Sequence, residues 1–112
     1  MFLVLRFYVK LDKMADYQKW LLSDKAKDMM RRFEKETGWK YIDTYFPILG
    51  FGEDIIEKWF EVPNWAALDR SRTSKVWDEW VNAVWDFRDL KRAASSVVYR
   101  AASDVMIPKK KK

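Results

Sequence analysis

The sequence contains no cysteine and no histidine. Without cysteine there are no disulfides, thiolate nucleophiles or iron–sulfur ligands. Without histidine there is no Ser-His-Asp catalysis and no usual zinc or haem site. Any chemistry must therefore use Asp, Glu, Tyr, Lys, Arg, Ser or Thr side chains. A carboxylate-bound metal has no motif spacing behind it, so neither a metal nor a cofactor is expected.

Long apolar runs are also absent, since none approaches the roughly 20 residues that a membrane span needs. The N-terminus alternates between apolar and polar residues and lacks both a basic segment and a small-residue cleavage site, so it does not resemble a signal peptide. The expected location is cytoplasmic, without membrane contact. Amides are scarce while 35% of the residues are charged, which resembles the composition of a thermophile protein.

The net charge of +5 is a property of the C-terminus more than of a binding face. Residues 109–112 are all lysine, which leaves +1 for the rest of the chain. The simplest interpretation is a solubilising tail, and the alternative is nonspecific contact with polyanions. The full sequence is 49% hydrophobic and 17% aromatic. These values predict one folded domain, residues 1–108, followed by the basic tail, residues 109–112.

Hydrophobic periodicity predicts two helices and four strands. Period-two alternation marks strands at residues 2–10, 39–49, 55–62 and 95–105. Helical periodicity covers residues 13–37, with a break or restart at Ser23 and Asp24 and an end at Gly38. A second helical region runs from an N-cap at Asn64 to Leu90, interrupted near residues 71–74. Gly50 to Gly52 form the predicted turn between the second and third strands.

The order of these elements is βαββαβ. Right-handed crossovers then give a four-stranded antiparallel sheet with both helices on one face, the ferredoxin-like α+β arrangement. The residues predicted for the helix-covered face are Leu3, Leu5, Phe7, Val9, Ile42, Phe46, Ile56, Phe60 and Val62. The residues predicted for the other face are Phe2, Val4, Tyr8, Trp39, Tyr41, Tyr45, Ile55 and Trp59.

That second face is too apolar to remain in water, so we expect it to dimerise through a two-fold axis, as a homodimer or an oligomer of dimers. Charges on this face require pairing or solvent. A polar cavity lined by aromatic side chains would meet both demands and bind a small hydrophobic or acidic molecule. The candidate ligand-binding residues are Arg6, Tyr8, Tyr41, Asp43, Tyr45, Glu57, Trp59 and Arg100. The alternative is an ion-pair network in a filled interface, with no ligand.

If the site is enzymatic, Asp43 or Glu57 is the candidate general base, with its pKa raised by burial. An arginine, Arg6 or Arg100, would stabilise an enolate or carboxylate, and Tyr45 would donate a proton. The sequence leaves open whether the protein is an enzyme.

The segment from Ile55 to Asp69 and the run from Ser74 to Trp80 resemble the dimeric α+β barrel superfamily, in particular NIPSNAP-like and antibiotic-biosynthesis-monooxygenase-like small proteins. Shared features are an acidic-aromatic strand end, an Ala-Ala-Leu turn, a polar gap and a tryptophan near the start of the second helix. The resemblance implies a ferredoxin-like dimer. The superfamily includes cofactor-independent monooxygenases and isomerases, so the resemblance implies activities of this type. Haem-degrading members usually rely on histidine, which is absent here.

Two other classes of function compete with a small-molecule site. RNA-recognition motifs share this strand order, but Leu49 and Glu53 stand where a basic and an aromatic residue are needed. Glu57 and Glu61 also make the third strand acidic, which disfavours contact with nucleic acid. The other alternative is a structural or interaction protein without catalytic activity, which would have no ligand-sized cavity.

Overall fold

A computed structural model of the protein describes residues 1–48 and 54–102. The strands are β1 (Phe2–Phe7), β2 (Lys40–Tyr45), β3 (Ile56–Glu61) and β4 (Ser95–Tyr99). The helices are α1 (Met14–Leu21), α2 (Asp24–Thr37), α3 (Trp65–Arg70) and α4 (Lys75–Val84). The predicted turn at residues 50–52, the predicted end of the last strand at residues 103–105 and the lysine tail lie outside the described residues.

Each predicted helical region is split into two helices, at the positions where the sequence predicted breaks. Helix α1 ends at Leu21, and Ser23 is the N-cap of α2, because its Oγ accepts a hydrogen bond from the Ala26 backbone N–H at 3.2 Å. Ser74 caps α4 in the same way, accepting from Trp77 at 2.9 Å. Gly38 ends α2 with φ of 80°, in the left-handed region that favours glycine. None of the helices in the described ranges has the length and apolarity needed to cross a membrane.

The strands form one sheet in the order β2-β3-β1-β4, with all neighbours antiparallel. This order and the placement of the helices on one face confirm the predicted ferredoxin-like α+β fold. The helix-covered face holds the core, whose buried members from the sheet include Leu3, Phe7, Ile56 and Phe60. Both β1 and β3 follow strict alternation, so their predicted faces are correct.

In β2 the predicted faces are wrong for its first half, because the strand contains a β-bulge. Tyr41 pairs with Phe60, but Asp43 pairs with the next residue of β3, Trp59, so Ile42 has no partner position of its own. Cross-strand partners lie on the same face, so Tyr41 lies on the helix side with Phe60. Ile42, predicted to be in the core, is 39% exposed.

Trp39 is displaced to the helix side with Tyr41. Its ring packs on Phe33 and Phe60, each with ring centroids 5.2 Å away, and its Nε1 donates to the Ala67 carbonyl at 2.6 Å. After the bulge the alternation resumes as predicted, with Asp43 and Tyr45 on the uncovered face.

Candidate functional site

The sheet face without helices, which we call the open face, carries a connected group of charged and aromatic side chains. Arg6 lies at its centre: its Nε donates to Glu57 Oε2 at 2.9 Å and its Nη2 donates to the Tyr99 hydroxyl oxygen at 2.9 Å. The remaining Glu57 oxygen, Oε1, accepts from Trp59 Nε1 at 3.0 Å. Both carboxylate oxygens of Glu57 are therefore hydrogen-bonded within this face.

Aromatic rings pack around the Glu57 network. The Trp59 ring stacks on Tyr99, with centroids 5.7 Å apart and an interplanar angle of 16°. Phe2 and Tyr45 contact Trp59 at centroid distances of 6.0 and 6.3 Å. Val4 lies on β1, between the strands that carry Trp59 and Tyr99, and is fully buried although no helix covers this face. The aromatic character predicted for this face is present in the structure.

Tyr8 lies beyond the end of β1, next to a cluster of charges. The Arg92 guanidinium carbon is 3.9 Å from the Tyr8 ring centroid. Arg92 also donates two hydrogen bonds to Asp54, at 2.8 and 3.0 Å, and one to Asp89 at 3.0 Å. These bonds from Arg92 hold the pKa of Asp54 below its usual range. The predicted candidate Tyr8 is thus held by a cation–π contact.

Asp43 and Arg100 are both exposed. Asp43 Oδ1 accepts from the Thr44 backbone N–H at 2.8 Å. Of the predicted site residues, the structure joins Arg6, Tyr45, Glu57 and Trp59 in one contact group and places Tyr41 on the opposite face. The assignment of a ligand to the open face stays a prediction.

A cleft lies on the other side of the sheet, between the strands and the helices α3 and α4. Its outer lobe is a cavity of about 530 Å³, within the size range of ligand pockets. Aromatic side chains line much of it, and Asp69, Ser71, Arg72 and Ser96 add polar groups. The aromatic members are Phe33, Trp39, Trp65 and Trp77.

The inner lobe is a smaller cavity of about 190 Å³, and Leu5 and Trp77 line both lobes, so the two adjoin. A cavity of about 150 Å³ holds a benzene ring, so the inner lobe has room for one aromatic ring. Its polar walls include Tyr17, Lys58 and Arg88, and no Asp or Glu is among the described residues that line it. The inner lobe therefore combines apolar walls with an excess of positive groups.

Lys58 is 1% exposed, although it is a lysine in the middle of a strand. Its Nζ donates to Thr44 Oγ1 at 3.0 Å and lies 4.5 Å from the Trp80 ring centroid and 5.3 Å from that of Tyr41. No Asp or Glu in the described part of the chain forms a salt bridge with this ammonium group. Burial lowers the pKa of Lys58 to about 7, and the charge of Asp43 opposes the shift only in part.

Arg88 and Tyr17 contribute the other polar groups of the inner lobe. The Arg88 backbone bridges to Val9 beyond the end of β1, and its guanidinium carbon is 5.1 Å from the Phe7 ring centroid. The Arg88 Nε is buried and has no hydrogen-bond partner within the described residues. Burial raises the pKa of Tyr17 well above its ordinary value, so Tyr17 stays a neutral hydrogen-bond donor at physiological pH.

The sequence patterns did not predict this cleft, but one signal pointed to it. In β3 the alternation Ile56-x-Lys58-x-Phe60 places Lys58 on the same face as two core residues. A charged residue in register with buried apolar residues is rare, because burying an unpaired charge is costly. Arg88 gave no such signal, because its burial depends on how the chain leaves α4.

Within residues 1–48 and 54–102, no group of three or more acidic side chains is placed to hold a metal ion. The inner lobe offers an amine, a guanidinium and a phenol for chemistry, from Lys58, Arg88 and Tyr17.

Solved structures show the same fold. A protein from Agrobacterium tumefaciens matches with a TM-score of 0.63 and 14% identity over 89% of this chain and 92% of that one. A second structure of that protein, which also matches, describes it as a NIPSNAP family protein with unknown function. An uncharacterised NIPSNAP domain protein from Burkholderia xenovorans matches with a TM-score of 0.62 and 12% identity, covering 97% of this chain and 100% of that one.

A protein from Nitrosomonas europaea, provisionally named an antibiotic biosynthesis monooxygenase, matches with a TM-score of 0.61 and 12% identity over 90% of this chain and 98% of that one. No protein-family model and no curated protein sequence matches the chain. The predicted resemblance to NIPSNAP-like and monooxygenase-like proteins is confirmed as a shared fold. At these identities the likeness carries the fold alone.

Proposed function

We propose that this protein binds a small, planar, acidic molecule, such as an aromatic carboxylate or an enolate, in the helix-side cleft. The observation that carries the proposal is the buried Nε of Arg88, a donor without a partner in the described structure, at the wall of a cavity large enough for an aromatic ring. A buried donor without an acceptor costs about 1–3 kcal/mol, and a ligand oxygen would remove that cost.

The charge of the inner lobe favours an anion. Arg88 and Lys58 lie in its walls, Tyr17 supplies a neutral hydroxyl, and acidic residues are absent from its described lining. An anionic group in this lobe gains charge-assisted hydrogen bonds in a poorly solvated site, where they are strongest. The aromatic outer lobe accommodates the apolar remainder of the molecule.

The catalytic form of the proposal is an isomerase- or monooxygenase-type reaction on that acid without a bound cofactor. The monooxygenase name of the Nitrosomonas europaea protein supports this form by analogy of fold. Lys58 is the better-placed base in the cleft, because a base is most effective when its pKa lies near the working pH, and burial brings the Lys58 pKa to about 7. The role of Asp43 or Glu57 as general base stays a prediction, and the hydrogen-bonded oxygens of Glu57 count against it.

The binding proposal makes 2-naphthoate a suitable probe, with the neutral 2-naphthalenemethanol as its matched analogue. We expect 2-naphthoate to bind wild-type protein and Arg88→Gln to weaken that binding about tenfold or more, because a charge-assisted hydrogen bond is lost. Binding of the neutral alcohol should change less than about twofold. Isothermal titration calorimetry provides the measurement.

Arg31→Gln is the matched control, because Arg31 is exposed on α2 and its ion pair within the described residues is a local one, with Asp28. Its affinity for 2-naphthoate should equal that of the wild type. The proposal fails if 2-naphthoate does not bind, or if Arg88→Gln binds it as tightly as the wild type does.

We further propose that the open face pairs with the open face of a second copy. Four aromatic side chains on the open face are partly exposed, and Tyr45 is 50% exposed. The four are Phe2, Tyr45, Trp59 and Tyr99. The charges of Arg6 and Glu57 are already satisfied within the face, so a second sheet can cover them without leaving a lone buried charge. A two-fold axis brings the same patch of both copies together.

The dimer proposal is tested at the centre of the aromatic group. Light scattering coupled to size exclusion should give twice the chain mass for the wild type and a monomer for Trp59→Arg, because the added cation would be buried beside Glu57, whose carboxylate is already paired with Arg6. Trp65→Arg is the matched control, since Trp65 is 59% exposed on α3, away from the open face, and should remain dimeric. A monomeric wild type, or a dimeric Trp59→Arg variant, contradicts the proposal.

A further inference from the structure

We propose that Lys58 is a carbonyl-reactive amine whose Nζ condenses with a small aromatic aldehyde or ketone in the inner lobe to form a Schiff base. This inference rests on the proposed function, since it assigns a reactive group to the same cleft. It adds a substrate class, carbonyl compounds, and a covalent step that simple binding of an acid does not require.

The first support is the surroundings of the amine. Lys58 is fully buried and lines a cavity that accommodates one aromatic ring. Its Nζ faces the Trp80 ring at 4.5 Å and the Tyr41 ring at 5.3 Å, and no described carboxylate lies within ion-pair distance of it. A desolvated lysine in an apolar pocket is activated as a nucleophile, because the neutral amine carries the free lone pair.

The second support is a hydrogen-bonded path for protons. Thr44 Oγ1 lies 3.0 Å from Lys58 Nζ and 2.6 Å from the Tyr41 hydroxyl oxygen. Tyr41 is only partly buried and also lines a separate surface cavity of about 430 Å³ together with Thr44. The chain from Lys58 through Thr44 to Tyr41 therefore links the buried amine to the protein surface.

The reaction balances without an oxidant or a reductant. The Nζ lone pair bonds to the carbonyl carbon as the carbon–oxygen π bond breaks, and one proton passes from nitrogen to oxygen to give a carbinolamine. The hydroxyl group then leaves with the second nitrogen proton as water, and the nitrogen lone pair forms the C=N bond. Thr44, which accepts a hydrogen bond from Nζ, is placed to carry protons to and from the nitrogen, and Tyr41 links Thr44 to the surface.

Reductive trapping tests the assignment. Full-length protein is incubated at pH 7 with benzaldehyde and sodium cyanoborohydride, and the N-benzyl groups are located by peptide mass spectrometry. We expect Lys58 to be labelled at least about tenfold faster than any exposed lysine, because at this pH the neutral fraction of an ordinary lysine is on the order of a thousandth. Equal or slower labelling of Lys58 overturns the proposal.

Two variants serve as controls. Lys58→Met should lose the fast label while its far-ultraviolet circular dichroism spectrum stays unchanged. Lys27→Met, which removes an exposed lysine of α2, should keep the fast label at Lys58.

Binding of 2-naphthoate, measured in the same preparation, separates the amine proposal from the acid-binding proposal. If 2-naphthoate binds in an Arg88-dependent manner and Lys58 is not labelled, only the amine proposal fails. If Lys58 is labelled and 2-naphthoate does not bind, the acid-binding proposal fails.

Discussion

Replacing Lys58 with methionine is expected to stabilise the protein at neutral pH, with a gain that shrinks as the pH rises. The pKa of Lys58 is about 7 in the folded protein, below its ordinary 10.5. Between these values the unfolded chain binds more protons than the folded one, so the free energy of unfolding of the wild type rises with pH from about 7 to about 10.5. Methionine is similar in length and carries no proton, so the variant lacks this contribution.

The expected difference between Lys58→Met and the wild type reaches up to about 5 kcal/mol at and below pH 7 and falls towards zero near pH 10.5. The lost hydrogen bond to Thr44 reduces the gain by about 1 kcal/mol. Urea unfolding at fixed protein concentration, over a series from about pH 6 to about pH 10, provides the measurement. The negative charge of Asp43 raises the pKa of Lys58 from the other side of the sheet, so Asp43→Asn should enlarge the effect.

Lys27→Met is the control for a general change in net charge and should follow the wild-type pH dependence throughout. Parallel pH profiles for Lys58→Met and the wild type, or a variant that is less stable than the wild type at pH 7, would contradict a lowered Lys58 pKa in the folded protein.

The second large effect is expected at the centre of the core. Phe60 is fully buried, and its ring lies within 6.5 Å of four other aromatic rings, those of Phe33, Trp39, Tyr41 and Trp77. Phe60→Ala should lower the free energy of unfolding by about 4 kcal/mol, because it removes buried apolar surface and leaves a cavity between these rings. Urea unfolding provides the measurement, and the slope of the free energy of unfolding against urea concentration should stay unchanged.

Leu11→Ala is the matched control, because Leu11 is 73% exposed and its truncation should cost less than about 0.5 kcal/mol. A loss below about 1 kcal/mol for Phe60→Ala would mean that the aromatic core is not packed as described. Three of the rings around Phe60, those of Phe33, Trp39 and Trp77, also line the outer lobe of the cleft, so the same packing shapes the proposed site.

The sequence was sufficient to predict the fold because its alternation is regular in β1 and β3. Leu3, Leu5 and Phe7 point to one side without interruption, and so do Ile56 and Phe60. The breaks at Ser23 and Ser74 were predictable because serine side chains cap helices through a local hydrogen bond.

The bulge in β2 was not predictable from alternation alone. It inserts one residue, Ile42, and reverses the faces of Trp39 and Tyr41, which moves a predicted site residue to the opposite side of the sheet. The bulge accompanies tertiary contacts between residues that are distant in sequence, such as the bond from Trp39 to the Ala67 carbonyl, and alternation along one strand does not contain that information.

The cleft was not predictable for a related reason. Its volume depends on how α3 and α4 lie against β1 and β4, and sequence periodicity identifies which helix face is apolar without giving its distance from the sheet. Lys58 was visible in the sequence as a charged residue in a core register, and its burial follows from that position. The open face carries aromatic and charged residues that the sequence predicted, and Arg6, Glu57 and Trp59 are hydrogen-bonded to one another or to Tyr99 there.

The central claim is that the helix side of the sheet, and not the open face, holds the small molecule. Valine and leucine methyl groups report on both sides: Leu5 and Val84 line the inner lobe, whereas Val4 and Val97 lie on the open face. Methyl-resolved NMR titration with 2-naphthoate should shift the Leu5 and Val84 signals and leave those of Val4 and Val97 in place. If only the Val4 and Val97 methyl signals shift, the claim is contradicted and the site lies on the open face.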